Sequence, residues 1–177
     1  MTARAWALRE PPVQTTSSLG VESAPVPVIE FVFVHSYSSE ALNWQAVMIG
    51  DREREGRIAT AKRWADAFSV PVVANDKHDT GNHDLFVREG IENICTALRT
   101  RDEAQAALDR SRSGAVLFVT SPDHLPRVVR DVLAAGGLRA LFASSDIPFS
   151  EKGAAAVEIK EPPHGSEVPH HDAQRTR

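Results

Sequence analysis

Between residues 27 and 160 two rhythms alternate along the chain. Runs of β-branched and aromatic residues predict strands at "VIEFVFVHSY" (28–37), "VPVVAND" (70–76), "AVLFVTS" (115–121) and "RALFASSD" (139–146). "AVEIK" (156–160) predicts a last edge strand. Helical spacing fills the intervals. In 53–68, Ile58, Ala61, Trp64, Ala65 and Phe68 share a face. In 88–110, Ile91, Ile94, Cys95 and Leu98 do the same, and the pattern resumes at Ala104, Ala107 and Leu108. In 121–137, Leu125, Val128, Val129, Val132 and Leu133 point inward, and Gly136-Gly137 ends the helix.

Continuous apolar strands alternating with helices predict an α/β fold: a Rossmann-like three-layer sandwich with a mostly parallel sheet of about four to five strands. Strands 70–76 and 115–121 are expected to be central and side by side. The domain spans 27–160. Residues 1–26, rich in Ser, Thr and Pro, are expected to form a leader, and the polar, Pro-rich residues 161–177 a tail, both dispensable for folding.

Composition narrows the function classes. A chain of 177 residues fits one domain with tails. A net charge of −4 gives no footprint for nucleic acid. The single cysteine, Cys95, excludes an internal disulfide framework and a multi-cysteine zinc site, and points to a cytoplasmic setting. No apolar run approaches the ~20 residues of a membrane span, and the N-terminal stretch lacks a signal-peptide core. There is no phosphate-binding P-loop, no Gly-x-Gly-x-x-Gly and no Gly-x-Ser-x-Gly elbow. The sequence indicates neither a cofactor nor an oligomeric state.

Parallel sheets bind ligands beyond the carboxyl ends of their strands. Here those ends are "HSYSSE" (35–40), "NDKHDTGNHD" (75–84), "TSPDH" (120–124) and "SSDIPFS" (144–150), where the polar residues gather. In "VTSPDHLPR" Ser121 suits a helix N-cap and Pro122 the first helical position. Asp123 and His124 then fall in the first turn, with Arg127 one turn on. A helix start attracts an anion and disfavours a protonated histidine, so His124 becomes a candidate proton carrier. In the bland alternative, Asp123 stabilises the helix start and pairs with Arg127 on a solvated face.

Asp76-Lys77-His78 and Gly81-Asn82-His83-Asp84 are fragments seen in metallophosphoesterases. There they are separated by tens of residues; here they nearly touch, and no Gly-His-x-His block follows. One loop cannot reproduce a two-metal geometry. The segment reads as a polar pocket wall carrying Asp76 and His83 with no resident metal, as a solvated turn, or as the seat of a single metal, for which His and Asp are suitable ligands.

"AVLFVTSPDHLPRVVRDVLAAGG" resembles the signature of the YdcF/SanA/ElyC-like domain: a buried strand, a Val-Thr-Ser turn, and a helix with His-x-x-Arg, here His124 and Arg127. The resemblance covers roughly residues 88–146. It aligns "GIENICTAL" with the family's Glu-Asn, here Glu92 and Asn93 on the preceding helix. It implies a Rossmann-like fold and an anionic, phosphorylated or nucleotide-like ligand. The first strand ends in "VHSYSSE" where the family has a Gly-containing turn, and the second in "ANDKHD" where it has Ser-Gly-Gly. The expectation is a small-molecule enzyme with His124, Glu92 and Asp123 as catalytic candidates. Thr120, Ser121, Arg127, Asn93, Asp76, His83 and Ser36 would bind the ligand. The alternative is a binding or interaction protein that kept the scaffold without the chemistry.

Overall fold

The computed structural model describes residues 27–76 and 80–150. Five parallel strands form one sheet: β1 (Ile29–Val34), β2 (Val72–Asn75), β3 (Glu92–Cys95), β4 (Ala115–Thr120) and β5 (Ala140–Ser144), in the order β3-β2-β1-β4-β5. Helices α1 (Trp44–Ile49) and α2 (Arg57–Phe68) join β1 to β2. α3 (Thr80–Glu89), α4 (Thr100–Arg110) and α5 (Leu125–Ala134) make the remaining crossovers.

The alternation of side chains along a strand explains the layers. Val32, Val34, Ala74, Leu117 and Val119 pack with Met48, Ile58, Ala61, Trp64, Leu85 and Phe86, so α1, α2 and α3 cover one face. Phe31, Phe33, Val73, Val116 and Phe118 pack with Ala104, Ala107, Val128 and Val132, so α4 and α5 cover the other. The result is the three-layer α/β sandwich of Rossmann-like strand order. Every residue of β4 is buried, as a strand covered on both faces requires. Phe118 lies between the rings of Phe33 and Phe142, at 5.7 and 5.9 Å. Truncating it to alanine would cost about 3–5 kcal/mol.

Four sequence expectations are corrected. Strands 70–76 and 115–121 are not adjacent, because β1 lies between them. The chain builds outward from β1 through β2 to β3, then α4 carries it back over the opposite face to the free side of β1. The helix expected to carry Glu92 and Asn93 is instead the edge strand β3. Gly90, at φ +68, closes α3 in the left-handed conformation glycine tolerates, and Ile91 then turns into the core. The helix placed at Ser121 starts at Leu125, with His124 as N-cap, because residues 121–124 form a turn in which Ser121 O accepts the amides of His124 and Leu125. Pro126 therefore falls in the first helical turn, where its missing N–H costs little. The loop at 75–84 is in part helix: Asn82, His83 and Asp84 belong to α3. "AVEIK", the leader, the tail and residues 77–79 lie outside the described residues.

At the amino end of the sheet Glu30 ties down the loop between α4 and β4. Its carboxylate accepts the Ser111 hydroxyl at 2.8 Å and the amides of Arg112 and Ser113 at 2.8 and 3.0 Å. Those bonds, the Ser113 amide foremost, lower its pKa to about 2. Among the described residues no helix is long and apolar enough to cross a membrane.

Candidate functional site

Between β1 and β4 the chain direction of the crossovers reverses, and the crevice at such a point is where open α/β sheets bind ligands. Here all the strand ends next to it finish on polar residues. The register explains why these converge. Val34 of β1 lies level with Ala74 of β2 and Val119 of β4, so His35, Asn75 and Thr120 come next in line together. They continue the row Phe33, Val73, Phe118 on the face covered by α4 and α5. One residue further, Ser36 and Ser121 continue the opposite face, under α2.

On the α4 side, the row meets an acidic residue. Glu103, buried on the alanine-rich face of α4, has Oε2 2.9 Å from His35 Nδ1 and accepts from Asn75 Nδ2 on Oε1 at 2.5 Å. Asn75 Nδ2 also donates to the Ala97 carbonyl at 2.8 Å. His124 stands beside this pair, its ring edge-on to that of His35 with centroids 5.8 Å apart. Thr120 Oγ1 lies 2.9 Å from His124 Nδ1, and Thr100 Oγ1 3.3 Å from its Nε2.

On the α2 side, the first residue of that helix supplies a cation. Arg57 is buried, and its Nε donates to Ser121 Oγ at 2.9 Å. Its Nη1 donates to the carbonyls of His35 and Ser36, at 3.0 and 2.8 Å. Nη2 has no acceptor among the described residues. Tyr37 lies under the guanidinium at 5.6 Å. Burial lowers the Arg57 pKa to about 10, against the opposing pull of Glu103 and Asp123, so it stays cationic at neutral pH.

Buried polar atoms in native proteins nearly always have partners, so each exception asks for a reason. Among the described residues the buried atoms without one are His35 Nε2, Ser36 Oγ, Asn43 Oδ1, Trp64 Nε1 and Ser145 Oγ. Of these, His35, Ser36 and Ser145 directly follow β1 and β5, on either side of the β4 end. Only the Trp64 indole is remote from this rim. The segment after β5 covers it. Phe149 sets its ring against His124 and Tyr37, at 5.5 and 5.6 Å. The Phe149 carbonyl accepts from Tyr37 Oη and Asn43 Nδ2, both at 3.1 Å.

Of the residues expected from sequence, Thr120, Ser121, Ser36 and His124 meet at this rim. Asp123 is close by, but both of its oxygens are occupied by the amides of Phe149 and Ser150, at 2.9 and 2.8 Å. Asp76, Asn93 and His83 form a neighbouring cluster beyond β2. Asn93 Nδ2 donates to Asp76 Oδ2 at 2.8 Å, and His83 Nδ1 lies 3.2 Å from the same oxygen. Glu92 is not brought in: it opens the edge strand β3, two strands away from β1, exposed and paired with Arg110 at 2.7 Å. Arg127 is exposed on α5. The anion seat expected at the start of that helix is also altered. The His124 and Leu125 amides already serve Ser121, Pro126 has none, and the Arg127 amide serves His124. Among the described residues no three His, Cys, Asp or Glu side chains form a group able to hold a metal.

Sequence reasoning missed His35, Arg57, Asn75, Thr100 and Glu103. A signal existed for some of them. The strands beside the crevice end in paired polar residues: His35-Ser36, Asn75-Asp76, Thr120-Ser121 and Ser144-Ser145. Glu103 is an acid in register with Ala104 and Ala107 on an inward face. No family model, curated protein or solved structure matches this chain.

Proposed function

We propose that this chain is a small-molecule enzyme of the YdcF-like kind that acts on a phosphorylated or nucleotide-like anion at the crevice between β1 and β4. The observation that carries this reading is the concentration of buried, unpartnered polar atoms at that rim. Leaving such groups unpaired costs about 1–3 kcal/mol each, a cost that a ligand supplying the missing partners offsets. The chemistry divides by face. Arg57 Nη2 with the hydroxyls of Ser36 and Ser145 suits an anionic oxygen. His124, steadied by Thr120 and Thr100, is the proton carrier. Asp123 positions the covering segment instead of reacting. A cytoplasmic setting belongs to the same reading, on the strength of the lone cysteine.

A thermal-shift panel of inorganic phosphate, nucleotides and sugar phosphates tests it. A ligand at a hundred times its Kd stabilises the fold by about 2.7 kcal/mol. The expected result is a rise in Tm with at least one phosphorylated compound, diminished in Ser36→Ala and Ser145→Ala. A panel with no shift removes the anion-site reading. A second reading, a binding protein without chemistry, is favoured by the occupied Asp123 carboxylate and the occupied amides at the start of α5. His124→Ala separates the two: an enzyme loses turnover of the ligand found, whereas a binder has none to lose.

A further inference from the structure

We propose that His35 is the buried base of this site, held in the Nδ1–H tautomer by Glu103 and covered by Phe149. The inference rests on reading the crevice as a small-molecule site, and it adds a residue that the sequence left unassigned. A carboxylate only accepts. Glu103 takes Asn75 Nδ2 on one oxygen and faces His35 Nδ1 with the other, so the proton of the latter contact belongs to His35. Nε2 is then left with its lone pair, and it has no partner among the described residues. A carboxylate fixing one ring nitrogen while the other faces a substrate is the arrangement general bases use. A ligand hydroxyl or water would lose its proton to Nε2. The O–H bond breaks, the electron pair stays on oxygen, and the new imidazolium keeps its Nδ1–H on Glu103.

His35 is fully buried, so a ligand reaches it only when a wall moves. Its ring is enclosed by Phe33, Phe118 and His124, at 5.0, 5.9 and 5.8 Å. Phe33 and Phe118 are core residues of β1 and β4. Behind His124 stands Phe149, whose segment is fastened by the side chains of Asp123, Tyr37 and Asn43. That segment is the wall built to open.

The test uses the full chain labelled with ¹⁵N-histidine. Long-range ¹H–¹⁵N spectra near neutral pH should give His35 the pattern of a protonated Nδ1 and a bare Nε2. Glu103→Gln should invert it. Asn75 is pinned as a donor by the Ala97 carbonyl, so the glutamine oxygen must stay on Asn75 and its NH2 must face Nδ1, moving the proton to Nε2. Diethyl pyrocarbonate, which acylates a bare ring nitrogen, supplies the second readout by peptide mass spectrometry. Phe149→Ala should raise modification of His35 about tenfold by easing local opening. Exposed His83 should be unchanged, and adding Glu103→Gln should abolish the gain. A wild-type His35 carrying its proton on Nε2, or on both nitrogens, overturns the proposal, as does unchanged reactivity in Phe149→Ala. These outcomes are independent of the phosphate panel, so failure of the base and failure of the anion site are separately visible.

Discussion

The two ends of the sheet handle polar groups in opposite ways. At the amino end Glu30 gathers the Ser111 hydroxyl and the amides of Arg112 and Ser113 onto one carboxylate. At the carboxyl end a buried cation, a buried acid and a histidine lie within a few residues of hydroxyls that have no partner. The first arrangement is what a fold needs for itself. The second leaves hydrogen-bonding capacity unused under the protein surface, which stability alone would not select. The contrast is what supports the proposal of a site at the carboxyl end of β1 and β4.

The sharpest break of this comparison is Glu103→Ala. It leaves Arg57 buried without the acid whose charge does most to offset its burial, and strips His35 and Asn75 of a shared partner. Removing one partner of a buried ionic set costs about 3–5 kcal/mol, read as a drop in the urea midpoint. A loss below about 1 kcal/mol, the surface range, would mean that water already solvates the cluster.

Ser145→Ala should do the reverse. The hydroxyl is buried and without a partner, so deleting it removes an unpaired group and leaves the shape nearly unchanged. Stability should hold or rise by about 1 kcal/mol, while any Tm response to phosphate compounds falls. A clear destabilisation would show that the hydroxyl serves the fold, and would erase the difference between the two ends.

The sequence made the scaffold legible because buried parallel strands are continuous apolar runs, and β1, β2, β4 and β5 all read that way. β3 did not. An edge strand with Glu92 and Asn93 exposed has no such run, and its Ile94 and Cys95 fit a helical spacing equally well. The stop signal was Gly90. α1 escaped notice because it has only six residues. Half of the site was legible for the same reason as the fold: Ser36, Thr120, Ser121 and His124 follow recognisable strands. The charged half was not. Arg57 and Glu103 sit on helices, where charged residues usually face solvent, and only packing against the strand ends turns them inward. The Glu-Asn pair of the resemblance lies on the edge strand β3, where Glu92 is exposed and Asn93 joins the cluster of Asp76 and His83.

Glu30→Ala probes the structural end by pH. Its folded pKa, about 2, lies below the ordinary 4.5. A depressed carboxylate contributes stability that is complete above the unfolded value and is lost as pH falls through the folded one. The variant should melt below wild type at neutral pH, and the two curves should converge between pH 4.5 and 2. A gap that persists at the acid end would assign Glu30 a role other than accepting these bonds as an anion.

Glu92→Ala is the smallest expected effect and the most direct test of where the site ends. The carboxylate pairs with Arg110 at 2.7 Å, but both side chains are about half exposed, 56% and 40%. Water and salt screen such a pair, so its loss should cost about 0.2–1 kcal/mol, less at high ionic strength. Any thermal shift with a phosphate compound should be the same size as in wild type, because Glu92 is exposed on the edge strand β3, separated from the crevice by β2. The YdcF-like resemblance, aligned on Glu92 and Asn93, expects the opposite: a ligand response that collapses. The same measurement on Ser36→Ala supplies the positive control, since that variant loses a buried hydroxyl assigned to the anion. A collapse in Glu92→Ala with an intact response in Ser36→Ala would move the site from the crevice to the β3 edge of the sheet and undo the comparison.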